Sequence, residues 1–301
     1  MSLRTRIAPT PSGFLHPGNG ASFVLAWVVA RATKGRVLLR IDDLDRARFR
    51  MEYLEDIFFT LDWLGLDYDE GPASPQDFLD RFSQSLRTDT YHEALRQLAE
   101  QGVLYACDCS RRHIREQSVG SLYSGFCRQR KLYLDTPHTA WRIRLPDDCE
   151  VAFSEWKQDV PVSLNLPACM GDFVLRQKDG SPAYQIASLC DDLLWHINFI
   201  VRGQDLLPST GAQMFLAQQL GYEDFQKATF FHHALLTDDS GEKLSKSAGS
   251  TALKSWREAG KSPDDVWRQA AQWLGLEYRE ETPMEMAAML SSGAKIKAHF
   301  L

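Results

Sequence analysis

Two short apolar runs, Arg6-Ile7-Ala8-Pro9 and Arg36-Val37-Leu38-Leu39-Arg40-Ile41, stand on either side of a mostly apolar segment, Ala21–Ala32, long enough for a buried helix. Gly35 supplies the stop between that segment and the second run. The spacing predicts a strand at Thr5–Ala8, a helix at Ala21–Thr33, a strand at Arg36–Ile41 and a helix at Glu52–Leu64. Strand, helix, strand, helix with short loops is the pattern of a parallel sheet, because parallel neighbours need a crossover and the helix provides it. The first third therefore reads as half of a doubly wound α/β sheet.

Downstream the pattern changes and then returns. Leu95 and Leu98 lie at helical spacing, with Gly102 placed to end that helix. Cysteines and arginines accumulate after residue 106. "TAWRIRLP" and "GDFVLRQKDGSPAYQIA" follow as short strands with a Lys-Asp-Gly turn. Alternation resumes from Ala187, with a helix expected at Gly211–Leu220 and a strand in "TFFHHALLTD". The last stretch reads as helical, with Trp256, Val266, Trp267, Trp273 and Leu274 as its core. The expected division is 1–105 and 183–235 for two halves of one catalytic domain, 106–182 for an insertion, and 236–301 for a loop and helical subdomain.

At 301 residues, 44% hydrophobic and 25% charged, the chain has the balance of a soluble globular protein with a sizeable core. No apolar run approaches the roughly 20 residues of a membrane span, and no signal pattern opens the chain, so the cytoplasm is expected. A net charge of −6 excludes a globally basic nucleic-acid binder but leaves room for a local patch. Arg111, Arg112, Arg115, Arg128, Arg130 and Lys131 form such a cluster, readable as a solvated face or an RNA contact.

Three of the six cysteines, Cys107, Cys109 and Cys127, crowd one short stretch, which suits a tetrahedral metal site in a reducing compartment. Cys149, Cys169 and Cys190 read as packing thiols. By spacing alone the fourth ligand is His113 or Tyr123. No open coordination position or general base accompanies the set, so a zinc ion here is expected to be structural.

Two loops carry the chemistry. "TPSGFLHPGN" joins the first strand to the first helix, where unpaired N–H groups and the helix dipole favour an anion. "SGEKLSKSAGS" follows the last strand and offers two lysines to a polyphosphate. Together, "HPGN" and "KLSKS" resemble the paired ATP motifs of class I aminoacyl-tRNA synthetases. "TRIAPTPSGFLHPGN", "LLRIDDLD", "LDWLGLDYDEGP", "YQIASLCDD" and "IVRGQDLLPST" narrow the resemblance to the glutamyl-tRNA synthetase group, over about residues 4 to 250. Only a short segment follows "KLSKS", so no anticodon-binding module is expected. With the Cys-x-Cys and Tyr-x₃-Cys pattern, this resembles the glutamyl-queuosine tRNA(Asp) synthetase family.

The resemblance implies a Rossmann-type parallel sheet with an inserted zinc-bearing α+β subdomain and a short helical C-terminal subdomain. It also implies ATP-dependent activation of glutamate and transfer to queuosine in the anticodon stem-loop of tRNA(Asp), with Mg2+ accompanying ATP. Arg6, Ala8, Thr10, Asp42, Tyr184 and Arg202 would form the amino-acid pocket, with Arg6 on the side-chain carboxylate and Asp42 on the ammonium. His16, Gly18, Asn19, Lys243, Ser245 and Lys246 would hold ATP; His16, Asn19 and the two lysines would act in catalysis. Cys107, Cys109, Tyr123 and Cys127 would bind zinc, and the protein would act as a monomer. Asp42 departs from the pattern: the glutamyl group carries glutamate there, and aspartate is a feature of the glutaminyl enzymes. Activation of glutamine, use of another acceptor, or a silent RNA- or partner-binding paralogue therefore stay open at this level.

Overall fold

The structure is a computed structural model that describes residues 2–117, 122–123, 125–236, 252–279 and 282–291. In chain order its strands are β1 (Arg4–Ile7), β2 (Arg36–Leu39), β3 (Leu104–Cys107), β4 (Ala140–Ile143), β5 (Glu150–Glu155), β6 (Val162–Asn165), β7 (Val174–Arg176), β8 (Phe199–Gly203) and β9 (Thr229–His233). The chain divides into two compact units. The first comprises Met1–Gln84, Ile197–Asp205 and the described part of Phe230–Leu301; the second comprises Ser85–His196 and Leu206–Thr229.

In the first unit β1 and β2 pair in parallel, Arg4 opposite Arg36 and Ile7 opposite Leu39. Helix α1 (Pro17–Ala32) makes the crossover, as the alternation predicts. It is buried from Ala21 through Ala30 except Ser22, which is why its apolar residues run almost without interruption. β8 lies along the other side of β1, where Asn198 N–H donates to the Arg4 carbonyl (3.1 Å) and its Oδ1 accepts from Arg4 N–H (2.8 Å). β9 is its sheet neighbour.

Helix α1 starts four residues earlier than the apolar run suggests. His16 is its N-cap: Nδ1 accepts from Asn19 N–H (3.3 Å) while Asn19 Oδ1 accepts from His16 N–H (3.2 Å). This reciprocal pair satisfies two backbone donors, and Pro17 takes a first-turn position that needs no N–H. The residues that read as loop are thus the helix's own first turn.

Helices Leu253–Glu258, Asp264–Leu274 and Pro283–Ser291 complete the unit. A Cβ on Gly20 would come within 2.9 Å of Leu253 Cδ1 and 3.0 Å of Val266 Cγ1, so a larger residue there would have to displace these side chains. Val266, Trp267, Trp273 and Leu274 are buried as expected, and Trp267 packs edge-on against Trp27 at 6.2 Å. Trp256 is only half-buried: its ring lies beneath the Lys261 ammonium, which keeps that side of the short helix near solvent.

The second unit contains an antiparallel sheet in the order β3-β4-β7 and the antiparallel pair β5-β6. "YQIA" does not continue a strand; it opens the helix Tyr184–Leu194 after the Lys-Asp-Gly turn, whose Gly180 has φ +92°. Asp191 is fully buried, and accepts from Arg87 Nε (2.9 Å) and Tyr91 OH (2.7 Å), which compensates its charge. No helix among the described residues is long and apolar enough to cross a membrane.

Candidate functional site

The C-terminal ends of β1 and β2 bring two of the quoted motifs side by side. Arg40 N–H donates to Ile7 carbonyl and Asp42 N–H to Pro9 carbonyl, both at 2.9 Å. These bonds continue the ladder past the strands and fix "APT" against "IDD". Arg6 is 5% exposed, and its Nη1 donates to the Val201 carbonyl (3.3 Å), next in sequence to buried Arg202 on β8. The Arg202 guanidinium lies over the Phe230 ring at 5.4 Å. Ala8 is half-buried and Thr10 exposed on the loop leading to α1.

His16 and Asn19 occupy the N-terminus of α1 as its capping pair. With Nδ1 accepting, a neutral His16 ring carries its proton on Nε2. A Cβ on Gly18 would stand 3.1 Å from His16 Cε1 and 3.2 Å from Nδ1, so glycine is what permits the imidazole to lie over the first turn. The helix start presents the positive end of the dipole, the setting for a phosphate.

Arg6, Ala8, Thr10, His16, Gly18, Asn19, Asp42 and Arg202 all belong to the first unit. Tyr184 belongs to the second, at the first position of the helix Tyr184–Leu194, and is 41% exposed. Lys243, Ser245 and Lys246 lie outside the described residues.

Two residues that sequence reasoning passed over brace this end of the sheet. Arg40, 2% exposed, donates to both oxygens of Asp42. Asp43, 1% exposed, accepts from Ser83 OH (2.6 Å), Gln84 N–H (2.7 Å) and Arg46 Nη1 (2.5 Å). The doubled aspartate and the arginine interrupting an apolar strand were the available signals.

A separate cluster sits in the second unit. β3 delivers Cys107, the following loop Cys109, and the short helix Phe126–Gln129 carries Cys127. All three are buried and their Sγ atoms lie within 4.8 Å of one another. Cys109 and Cys127 Sγ are 3.4 Å apart, and Tyr123 Oη is 3.5 Å from Cys107 Sγ and 4.0 Å from Cys109 Sγ. A tetrahedron with metal–sulfur bonds of about 2.3 Å has edges of about 3.8 Å, so these separations fit the three thiols around one zinc ion. His113 stands apart from the group: its N–H donates to Ser110 Oγ (3.1 Å) and its ring meets Phe126 edge-on at 5.3 Å.

The protonation of the donors is uneven. Burial, with the neighbouring Cys127 and Cys107 thiols, pushes Cys109 up to about 12. Burial followed by hydrogen bonding to Cys127 and Cys107 also pushes Tyr123 up. Burial works against the Cys107 thiolate, yet the Tyr123 hydroxyl and the Arg142 guanidinium hold its thiol below the ordinary value.

Around this centre three of the six basic residues are matched by acids. Arg112 pairs with Glu116 (2.8 Å), Arg130 with Asp108 (2.5 Å) and Arg128 with Asp172 (2.5 Å). Tyr105 OH also donates to Asp172, and burial with that contact drives the phenol up. Arg128 is thus a structural member of the unit, not part of a solvated face.

Residues 2–284 match the family model described as tRNA synthetases class I (E and Q), catalytic domain. The chain is 35% identical over 307 residues to the glutamyl-Q tRNA(Asp) synthetase of Nitratidesulfovibrio vulgaris, covering 96% of this chain and 92% of that protein. It is 39% identical over 290 residues to the protein of the same description from Symbiobacterium thermophilum, covering 90% and 86%. Among solved structures, a glutamate tRNA ligase from Elizabethkingia meningosepticum superposes with a TM-score of 0.76 at 24% identity, over 96% of this chain and 64% of that one. That likeness establishes the α/β catalytic fold of class I synthetases.

Proposed function

The chain belongs to the class I glutamyl- and glutaminyl-tRNA synthetase family, in its glutamyl-Q tRNA(Asp) synthetase branch, and we propose from that premise that it activates glutamate with ATP and glutamylates queuosine in tRNA(Asp). The observation that carries this reading is the match to glutamyl-Q tRNA(Asp) synthetases along nearly the whole of both chains.

In the first step a glutamate α-carboxylate oxygen attacks the α-phosphorus of ATP. A carboxyl–phosphoryl bond forms, the α–β phosphoanhydride bond breaks and pyrophosphate leaves with the electron pair. In the second step a nucleophile of the queuosine attacks the activated carbonyl and AMP departs. The substrate supplies the nucleophile in both, so the protein's task is positioning and charge stabilisation.

Arg6, held from behind by the Val201 carbonyl, and Arg202 offer planar forks to the substrate side-chain carboxylate. Asp42 faces the ammonium, its orientation set by Arg40, with Ala8 and Thr10 beside it. The start of α1, with His16, Gly18 and Asn19, receives phosphates and ribose. Lys243 and Lys246 offset charge building on pyrophosphate, and Ser245 contacts ATP. Mg2+ bound with ATP would supply neutralisation of the phosphate charge.

Cys107, Cys109 and Cys127, with Tyr123 as fourth donor, hold a structural zinc. With all four donors supplied by protein, such an ion would contribute folding energy, not chemistry. The free thiols suit a reducing compartment, and the cytoplasm is the place of action.

ATP–pyrophosphate exchange without tRNA, supplied with each amino acid in turn, tests the reading. Exchange with glutamate alone supports it. Exchange with glutamine moves the assignment to the other half of the family, and no exchange in the presence of Mg2+ and zinc removes the tRNA-independent activation.

A further inference from the structure

Arg142 is 8% exposed in the middle of β4, opposite Tyr105 of β3. Its guanidinium lies 3.9 Å from the centroid of the Tyr123 ring, and its Nη1 donates to the Asp172 carbonyl at 2.5 Å. That acceptor is a backbone oxygen. The Asp172 carboxylate is already taken by Arg128, Tyr105 and the Leu145 amide. Among the described residues no carboxylate pairs with Arg142, and its buried Nε has no hydrogen-bond partner.

A buried guanidinium without a counter-charge is costly, and a protein keeps one where an anion completes it. Here the charge to be met is that of the metal centre. Three thiolates and a tyrosinate around a divalent ion carry a formal excess of two negative charges. Arg130 also approaches, 3.8 Å from Cys127 Sγ, but it is exposed and bound to Asp108. Resting on the reading of Tyr123 as the fourth zinc donor, we propose that Arg142 is the positioning residue of the zinc centre: its face fixes the Tyr123 ring beside the three sulfurs, and its charge offsets that of the filled donor set. Residues outside the direct ligands orient them and tune the metal, and their loss typically weakens binding about 10–100-fold.

The test measures zinc affinity by competition with a chromophoric chelator, and the visible spectrum of the cobalt-substituted protein, for wild type, R142Q, R142K, Y123F and R142Q/Y123F. Circular dichroism of each variant checks folding. The expected result is about 10–100-fold weaker zinc binding in R142Q with an altered cobalt spectrum. R142K, which keeps the charge without the planar face, recovers part of the loss. The double variant falls short of the sum of the singles, since both residues act on one contact. Wild-type affinity and spectrum in both Arg142 variants, or full additivity with Y123F, overturn the proposal. Should R142Q fail to fold, R142K against Y123F makes the same comparison, and wild-type behaviour of R142K with a weakened Y123F overturns it. Wild-type binding by Y123F removes the ligand reading itself, a different failure visible in that variant alone.

Discussion

Arg40 grips Asp42 through two nearly parallel hydrogen bonds, Nε to Oδ1 at 2.8 Å and Nη2 to Oδ2 at 2.9 Å. The arginine side chain is 1% exposed and the aspartate 12%. The shorter acidic arm at position 42 is therefore one member of a braced pair, and its carboxylate has a fixed orientation before any substrate arrives. D42N removes the carboxylate from this buried pair, a loss of about 3 kcal/mol by the usual cost of breaking such a pair. Thermal unfolding should record that loss, and exchange assays should record a raised KM for glutamate. D42E, keeping the charge, should retain glutamate over glutamine; a switch to glutamine would tie amino-acid choice to this pair.

His16 caps α1 and stands in the proposed nucleotide site, and the two roles separate experimentally. H16A removes the cap and should cost about 1 kcal/mol of stability. H16N restores a favoured capping side chain, so its stability should return close to wild type. Exchange should stay depressed in both, by the 10²–10³-fold typical of losing a donor to a developing charge. Recovery of exchange in H16N would confine His16 to the helix.

Removing the metal should loosen the second unit. A metal held at 100 times its Kd adds about 2.7 kcal/mol to the folded state, so a chelator should lower the unfolding temperature by several degrees. C109S should bind less than one zinc per chain and should no longer respond to the chelator.

His233 gives a pH signature. Its ring stacks on Trp273 at 3.9 Å and its Nδ1 donates to the Ala234 carbonyl at 2.9 Å. Burial pushes it down to about 4, from an ordinary 6.5 that the unfolded chain retains. Between those values the unfolded state binds more protons, so stability falls as pH drops from 6.5 toward 4. The full loss, about 3 kcal/mol, is reached below 4. Thermal unfolding from pH 7.5 to 4.5 should show that slope in the wild type and a shallower one in H233Q.

How much of this was legible depended on how local the cause is. β1, α1 and β2 follow from apolar runs, and Cys107, Cys109 and Cys127 declare themselves by spacing. The start of α1 was hidden because Pro17, Gly18 and Asn19 are loop formers by composition, and only the His16–Asn19 reciprocity makes them a helical turn. "YQIA" has the alternation of a strand, but the turn at Gly180 ends β7 and the chain begins a helix. Arg40 and Asp42 are two residues apart, yet their pairing needs the ladder bonds to Ile7 and Pro9. Arg142 lies beyond reach of any motif: strand register sets it opposite Tyr105, and only the tertiary fold brings the Tyr123 ring to its guanidinium.

The reciprocal bond between His16 and Asn19 also limits how this motif can diverge. Each side chain satisfies the other's backbone, so a change at one position strips a partner from the second and weakens the helix start together with the phosphate seat.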